Sequence, residues 1–150
     1  VGVEYRSMNH VMDRQEKLPL DVDDFTWLRH TFGLASGSLV PQHKMAAVII
    51  APGCERAIRK TNIVGDHYVQ KRWRPLTTHV HAEINCLIAS TPKSLLDGTI
   101  YVARYRRNGT ASCSYPCTEC TSALLSTKLR YLVCYDATDT PTKVDLRTVK

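Results

Sequence analysis

The chain reads as a three-layer α/β/α domain built on a central mixed sheet of about five strands. Three observations predict this. Lys44-Met45-Ala46-Ala47-Val48-Ile49-Ile50 is a short, nearly continuous apolar run, the pattern of a strand covered on both faces. Two more strand-like runs, Thr99-Ile100-Tyr101-Val102-Ala103 and Arg130-Tyr131-Leu132-Val133-Cys134-Tyr135, alternate with helical patterns, and that alternation favours a layered α/β arrangement. With 150 residues, of which 43% are hydrophobic, the chain is sized for one core and a single domain over 1–150.

Each element follows in order. Residues 1–20 read as an N-terminal extension or an initial helix ending at Leu18-Pro19. Asp21 to Asp24 opens an amphipathic helix with acidic residues at its favourable end. Phe25, Leu28 and Phe32 recur at helical spacing, and Gly33 or Gly37 supplies a stop. After the first apolar strand, Pro52-Gly53 turns the chain and Glu55 to Thr61 returns beside it as a hairpin. Residues 62–80 lack periodicity and read as a long loop, a length often tied to function. After His81, the residues Ile84, Leu87 and Ile88 share one face of a helix that stops before Pro92. A second helix spans roughly 117 to 127, and Lys143 to Val149 alternates as an edge strand would. Asn108-Gly109 marks a turn.

Composition excludes several classes. No apolar run approaches the roughly 18–20 residues of a membrane helix. The N-terminal stretch, with Arg6, Asp13, Arg14, Glu16 and Lys17, is too charged for a signal peptide, so a cytoplasmic location is expected. Without a secretory segment, Cys54, Cys86, Cys113 and Cys134 are expected to be reduced, Cys86 and Cys134 as buried small hydrophobes. The formal charge of +6 favours anionic partners without naming one. Basic residues gather at Arg56, Arg59 and Lys60, at Lys71, Arg72 and Arg74, and at Arg104, Arg106 and Arg107.

The chemistry concentrates in His81-Ala82-Glu83 and Pro116-Cys117-Thr118-Glu119-Cys120. One imidazole and two thiolates can hold a zinc ion at three corners of a tetrahedron and leave the fourth for water. Glu83 stands beside the first ligand, where a carboxylate can move that water's protons. Cys117 and Cys120 are three apart on one helical face, and Pro116 suits a helix start. His81 and Glu83 are two apart, so they converge only at a helix entrance. A Cys-x-x-Cys alone also fits a redox pair, which leaves His81-Ala82-Glu83 unexplained. A closed structural zinc site needs a fourth protein ligand, for which His79 is available, and it leaves Glu83 without a task.

Taken together, H-x-E…P-C-x-x-C is the signature of zinc nucleobase deaminases, and the chain resembles the cytidine/deoxycytidylate deaminase superfamily over about residues 44–136. The resemblance implies one catalytic zinc on His81, Cys117 and Cys120, with Glu83 as general base and then acid. It implies that the Ala82 N–H and the Ser114 carbonyl hydrogen-bond the base, that Asn62 meets the sugar, and that Tyr115 borders the substrate.

His43 to Ile50, Lys60-Thr61-Asn62, His81 to Asn85 and Tyr101 to Arg104 look most like deoxycytidylate (dCMP)-type deaminases, including those carried by phages. The chain departs from that pattern at Ile63-Val64-Gly65, where many such enzymes carry a glycine- and proline-bearing turn. Tyr115 stands where tRNA adenosine and guanine deaminases commonly have glutamate, which points away from purines. The implied reaction is dCMP to dUMP with release of ammonia. Lys71, Arg72, Arg74, Arg104, Arg106 and Arg107 are candidates for the phosphate. By the same resemblance the chain forms a homo-oligomer, a hexamer or dimer, with dCTP and dTTP as possible effectors. One alternative is a deaminase of single-stranded DNA or RNA, with Tyr68, Trp73 and Tyr105 as stacking platforms. Another is an inactive zinc-stabilised binding module.

Overall fold

The computed structural model describes residues 10–65 and 79–149. A 3-10 turn, Val11–Arg14, precedes helix α1 (Val22–Ala35). Strands β1 (Lys44–Ala51) and β2 (Cys54–Thr61) follow, then the two-residue strands β3 (Ile63–Val64) and β4 (His79–Val80). Next come helices α2 (Ala82–Ile88) and α3 (Pro92–Leu95), strands β5 (Thr99–Tyr105) and β6 (Ala111–Ser112), and helix α4 (Thr118–Leu125). Strands β7 (Tyr131–Tyr135) and β8 (Pro141–Asp145) and a 3-10 turn, Leu146–Thr148, complete the described chain.

The main sheet runs β2-β1-β5-β7-β8, with β6 added to β5. It is mixed: β5 and β7 pair in parallel and the other neighbours antiparallel. A parallel pair requires a crossover connection, and α4 lies in the one between β5 and β7. Gly109 supplies the left-handed turn between β5 and β6, with φ 84°, where a side chain would be strained. The β1–β2 hairpin and the expected sheet of about five strands are present. So is the layered order.

Burial on both faces explains the continuous apolar run of β1. Val48, Tyr101 and Val133 point to α1 and meet Leu28. Ala47, Ile49, Ile100, Val102, Leu132 and Cys134 point the other way, against Ala82 and Cys86 of α2 and Leu124 of α4. The helices that carry the two motifs therefore share one face of the sheet. Cys54, Cys86, Cys113 and Cys134 are free thiols, as expected for the four outside the motif.

Several details differ from expectation. Helix α1 passes Gly33 and ends at Ala35, and its buried stripe is Asp24, Leu28, Thr31 and Ala35, with Phe25 exposed. A polar residue can hold that stripe because Asp24 is fully partnered. It closes a capping box with Asp21 and accepts from Tyr101 Oη and Lys143 Nζ, each at 2.9 Å. The edge strand begins at Pro141 and stops at Asp145, whose carboxylate accepts from the Arg147 N–H and starts the last turn. Helix α3 was not expected. Thr91 and Ser94 cap each other there, with Pro92 in the first turn. The long loop is closed at its base by Ile63–Val64 pairing with His79–Val80. Among the described residues no helix is long and apolar enough to cross a membrane.

Candidate metal centre

His81 is the N-cap of α2, in an extended conformation (φ −65°, ψ 149°), and Glu83 lies in the first helical turn. This is the helix entrance at which residues two apart can face the same point. Cys117 is likewise the N-cap of α4, and its sulfur accepts from the Cys120 N–H at 3.4 Å. The helix start stabilises negative charge there. The three ligand atoms lie within 4.8 Å of one another. His81 Nδ1 is 3.3 Å from Cys120 Sγ and 3.9 Å from Cys117 Sγ.

Those distances test whether zinc fits. Tetrahedral zinc with ordinary bonds to nitrogen and sulfur separates the two donors by about 3.6 Å. The observed pair brackets that value, and the donor set is the borderline-soft one that zinc prefers. The Cys117 thiol is held far below its ordinary pKa, first by its hydrogen bond with Cys120 and, despite burial, also by His81. That direction favours the thiolate, the form that binds metal. His81, Cys117 and Cys120 fit one zinc ion. We expect one zinc per purified chain by elemental analysis, and loss of that zinc in Cys117→Ala. A metal-free wild-type chain purified without chelator would overturn this assignment.

The other predicted residues fall as follows. Ala82 is fully buried and Glu83 is 1% exposed, so the carboxylate is shielded from bulk solvent. Ser114 is also buried. Its hydroxyl donates to the Val102 carbonyl at 2.7 Å and accepts from the Tyr135 N–H at 2.9 Å, bridging β5 and β7. Asn62 is buried at the end of β2. Its side-chain oxygen accepts from Ser38 Oγ at 2.6 Å and the Met45 N–H at 3.1 Å, and its amide donates to the His43 carbonyl. Tyr115 is half-buried and donates to Asp13 Oδ1 at 2.9 Å.

The basic candidates separate. Arg106 is paired with Asp139 at 2.8 Å. Arg107 is exposed. Arg104 hydrogen-bonds His43 Nδ1 at 3.0 Å. Lys71, Arg72 and Arg74 lie outside the described residues, as do Tyr68, Trp73 and the side chain of His79. Sequence reasoning missed Asn85, which donates to the Thr61 carbonyl at 2.9 Å and ties α2 to β2. It also missed His10 and Asp13, which meet the 114–116 loop from the N-terminal segment. No periodicity marks either contact.

Residues 23–136 match the family model described as the cytidine and deoxycytidylate deaminase zinc-binding region. The fold is similar to that of cytidine deaminase from Mycobacterium leprae, at 19% identity over 81% of this chain and 94% of that one, with TM-score 0.51. It is similar as well to a point mutant of cytidine deaminase from Mycobacterium tuberculosis, at 19% identity, 84% and 93% coverage and TM-score 0.52. Acinetobacter baumannii RibD aligns at 18% identity and TM-score 0.46 over 74% of this chain, which spans only 27% of RibD's length. No curated protein matches the chain.

Proposed function

The chain belongs to the cytidine and deoxycytidylate deaminase family, and on that premise we propose that it hydrolyses the amino group of a cytosine nucleotide, dCMP to dUMP. The observation that carries this reading is the buried carboxylate of Glu83, one helical turn's start away from the ligand His81. His81, Cys117 and Cys120 would hold the zinc ion, which when bound is a Lewis acid that makes water nucleophilic near neutral pH.

Glu83 does the proton work. It takes a proton from water and delivers it to N3 of the ring, which makes C4 electrophilic. The water oxygen bonds to C4. Glu83 then carries the second proton to the exocyclic nitrogen, the C4–N bond breaks, and ammonia leaves as C4 becomes a carbonyl. The Ala82 N–H and the Ser114 carbonyl orient the base, and Asn62 meets the sugar while its amide also holds His43. Burial of Ala82, Glu83 and Ser114 supports a water-poor pocket in which such hydrogen bonds count for more.

Arg104 is our choice for the 5′-phosphate. It is the cross-strand partner of Met45 and of Ser112, so its side chain leaves the sheet on the face that carries α2 and α4. Its guanidinium reaches His43, which Asn62 also holds. A homo-oligomer is part of this reading.

The test is Arg104→Ala assayed for ammonia release on dCMP and deoxycytidine. A lost charge-assisted hydrogen bond should lower kcat/KM on dCMP by about 10–100-fold and leave deoxycytidine little changed. Equal losses on both substrates would remove Arg104 from phosphate recognition. Turnover of a cytosine-containing single strand and not of dCMP would overturn the nucleotide reading itself.

A further inference from the structure

We propose that residues 10–17 form a strap in which His10 positions the loop carrying Cys117, so that His10 governs how tightly zinc is retained. The proposal rests on the metal assignment above. The strap lies outside residues 23–136, the span of the family match.

Both ends of the strap are anchored. Met12 is completely buried in the core beneath α2 and α4. Leu18 pairs with Lys143 at the edge of β8, donating to its carbonyl at 2.9 Å. Just ahead of the Met12 anchor, His10 makes three contacts. Its Nδ1 accepts from the Met12 N–H at 3.0 Å, so in the neutral ring Nε2 carries the proton. That nitrogen lies 2.7 Å from the Pro116 carbonyl and donates to it. The ring also stacks on Tyr115, centroids 4.7 Å apart and planes 27° apart. Tyr115 is held from its far end by Asp13, and the Lys17 ammonium lies 5.8 Å from its ring centre.

The geometry matters because the Pro116 carbonyl and the Cys117 nitrogen share one peptide plane. Two side chains grip that carbonyl: His10 from the strap and Thr121 Oγ1, at 3.3 Å, from α4. Fixing the plane fixes the direction in which Cys117 leaves it, and so the position of its sulfur. Thr121 belongs to the same helix as Cys120 and cannot set α4 against the rest of the molecule. His10 can, because it is anchored elsewhere. It is a positioning residue, acting on the ligand through Pro116 and Tyr115.

The experiment compares full-length, zinc-loaded chains for the rate of zinc transfer to the chromogenic chelator 4-(2-pyridylazo)resorcinol. His10→Asn keeps a good cap for the Met12 N–H but loses the reach to Pro116 and the stack. Tyr115→Phe keeps the stack and loses only Asp13. Leu28→Ala truncates the core on the opposite face of the sheet and reports what general loosening does. Groups that orient a metal ligand typically change affinity about 10–100-fold, so His10→Asn should release zinc at least about ten times faster than wild type. Tyr115→Phe should fall between the two, and Leu28→Ala close to wild type. Release from His10→Asn within about twofold of wild type, or matched by Leu28→Ala, would overturn the proposal. Should His10→Asn fail to fold, wild-type release rates in Tyr115→Phe would overturn it equally. Absence of zinc from the wild type is a different result, which removes the metal assignment and the strap's role with it.

Discussion

Glu83→Ala should keep its zinc and its fold and lose roughly 10²–10⁴-fold in turnover. Glu83 is not one of the three donors, so metal content should match the wild type. Alanine is the best helix former, and the position is in the first turn of α2. The cost to folding is confined to a small cavity and one favourable charge at a helix start. The cost to chemistry is much greater, because no other group is assigned the two proton transfers. Ammonia release under saturating substrate, with zinc measured on the same sample, checks both halves. A variant that keeps more than about a tenth of the activity means that another group moves the protons. One that loses its zinc means that Glu83 serves the metal.

Lys143→Met should destabilise the fold by about 3 kcal/mol, the lower end for removing one partner of a buried ion pair. Methionine keeps most of the aliphatic stem, so the loss is mainly the ammonium. Lys143 Nζ lies 2.9 Å from Asp24 Oδ2, with the two side chains 14% and 5% exposed. Without it the Asp24 carboxylate is left in the core with Tyr101 and the Asp21 N–H as partners. The pH dependence carries the sign. Burial pushes the Asp24 pKa up, but Lys143, the backbone at Asp21 and Tyr101 together hold it below the ordinary 3.8. A depressed folded-state value adds stability above the unfolded carboxyl's pKa and loses it as pH falls through the folded one. Wild type should therefore weaken below about pH 4, and Asp24→Asn should flatten that acid limb. Urea midpoints between pH 3 and 7 give both numbers. A midpoint for Lys143→Met equal to wild type at pH 7 would show that the pair contributes nothing.

Much of this molecule was legible from its sequence, for identifiable reasons. β1 announced itself because burial on both faces leaves little room for polar residues. His81, Cys117 and Cys120 were legible because metal chemistry dictates donor types, and a helix start dictates their spacing. What stayed hidden involves polar side chains spent on tertiary contacts. Asp24 and Thr31 stand on the buried stripe of α1 where periodicity expects hydrophobes, and only the partners Tyr101 and Lys143, far along the chain, explain Asp24. The Ser114 hydroxyl joins β5 to β7, a task that no local pattern records. β8 ended early because Asp145 caps the next turn, which competes with strand alternation. The phosphate candidates looked alike as charges, and only their distant partners, His43 for Arg104 and Asp139 for Arg106, separate them.

The family's recognisable span and the unit that folds are different lengths of chain. Residues 23–136 contain both ligand motifs, yet the core beneath α2 and α4 is also built from Met12, Val144 and Leu146, all from outside that span. β8, which covers the open side of β7, lies outside it as well. An expression fragment trimmed to the family boundaries would keep every donor and expose Leu132 and Cys134 on a bare strand edge. It would also strand the carboxylate of Asp24 without its lysine. For domain grafting or truncation, the working limits have to take in Met12 on one side and Leu146 on the other, well beyond the motif.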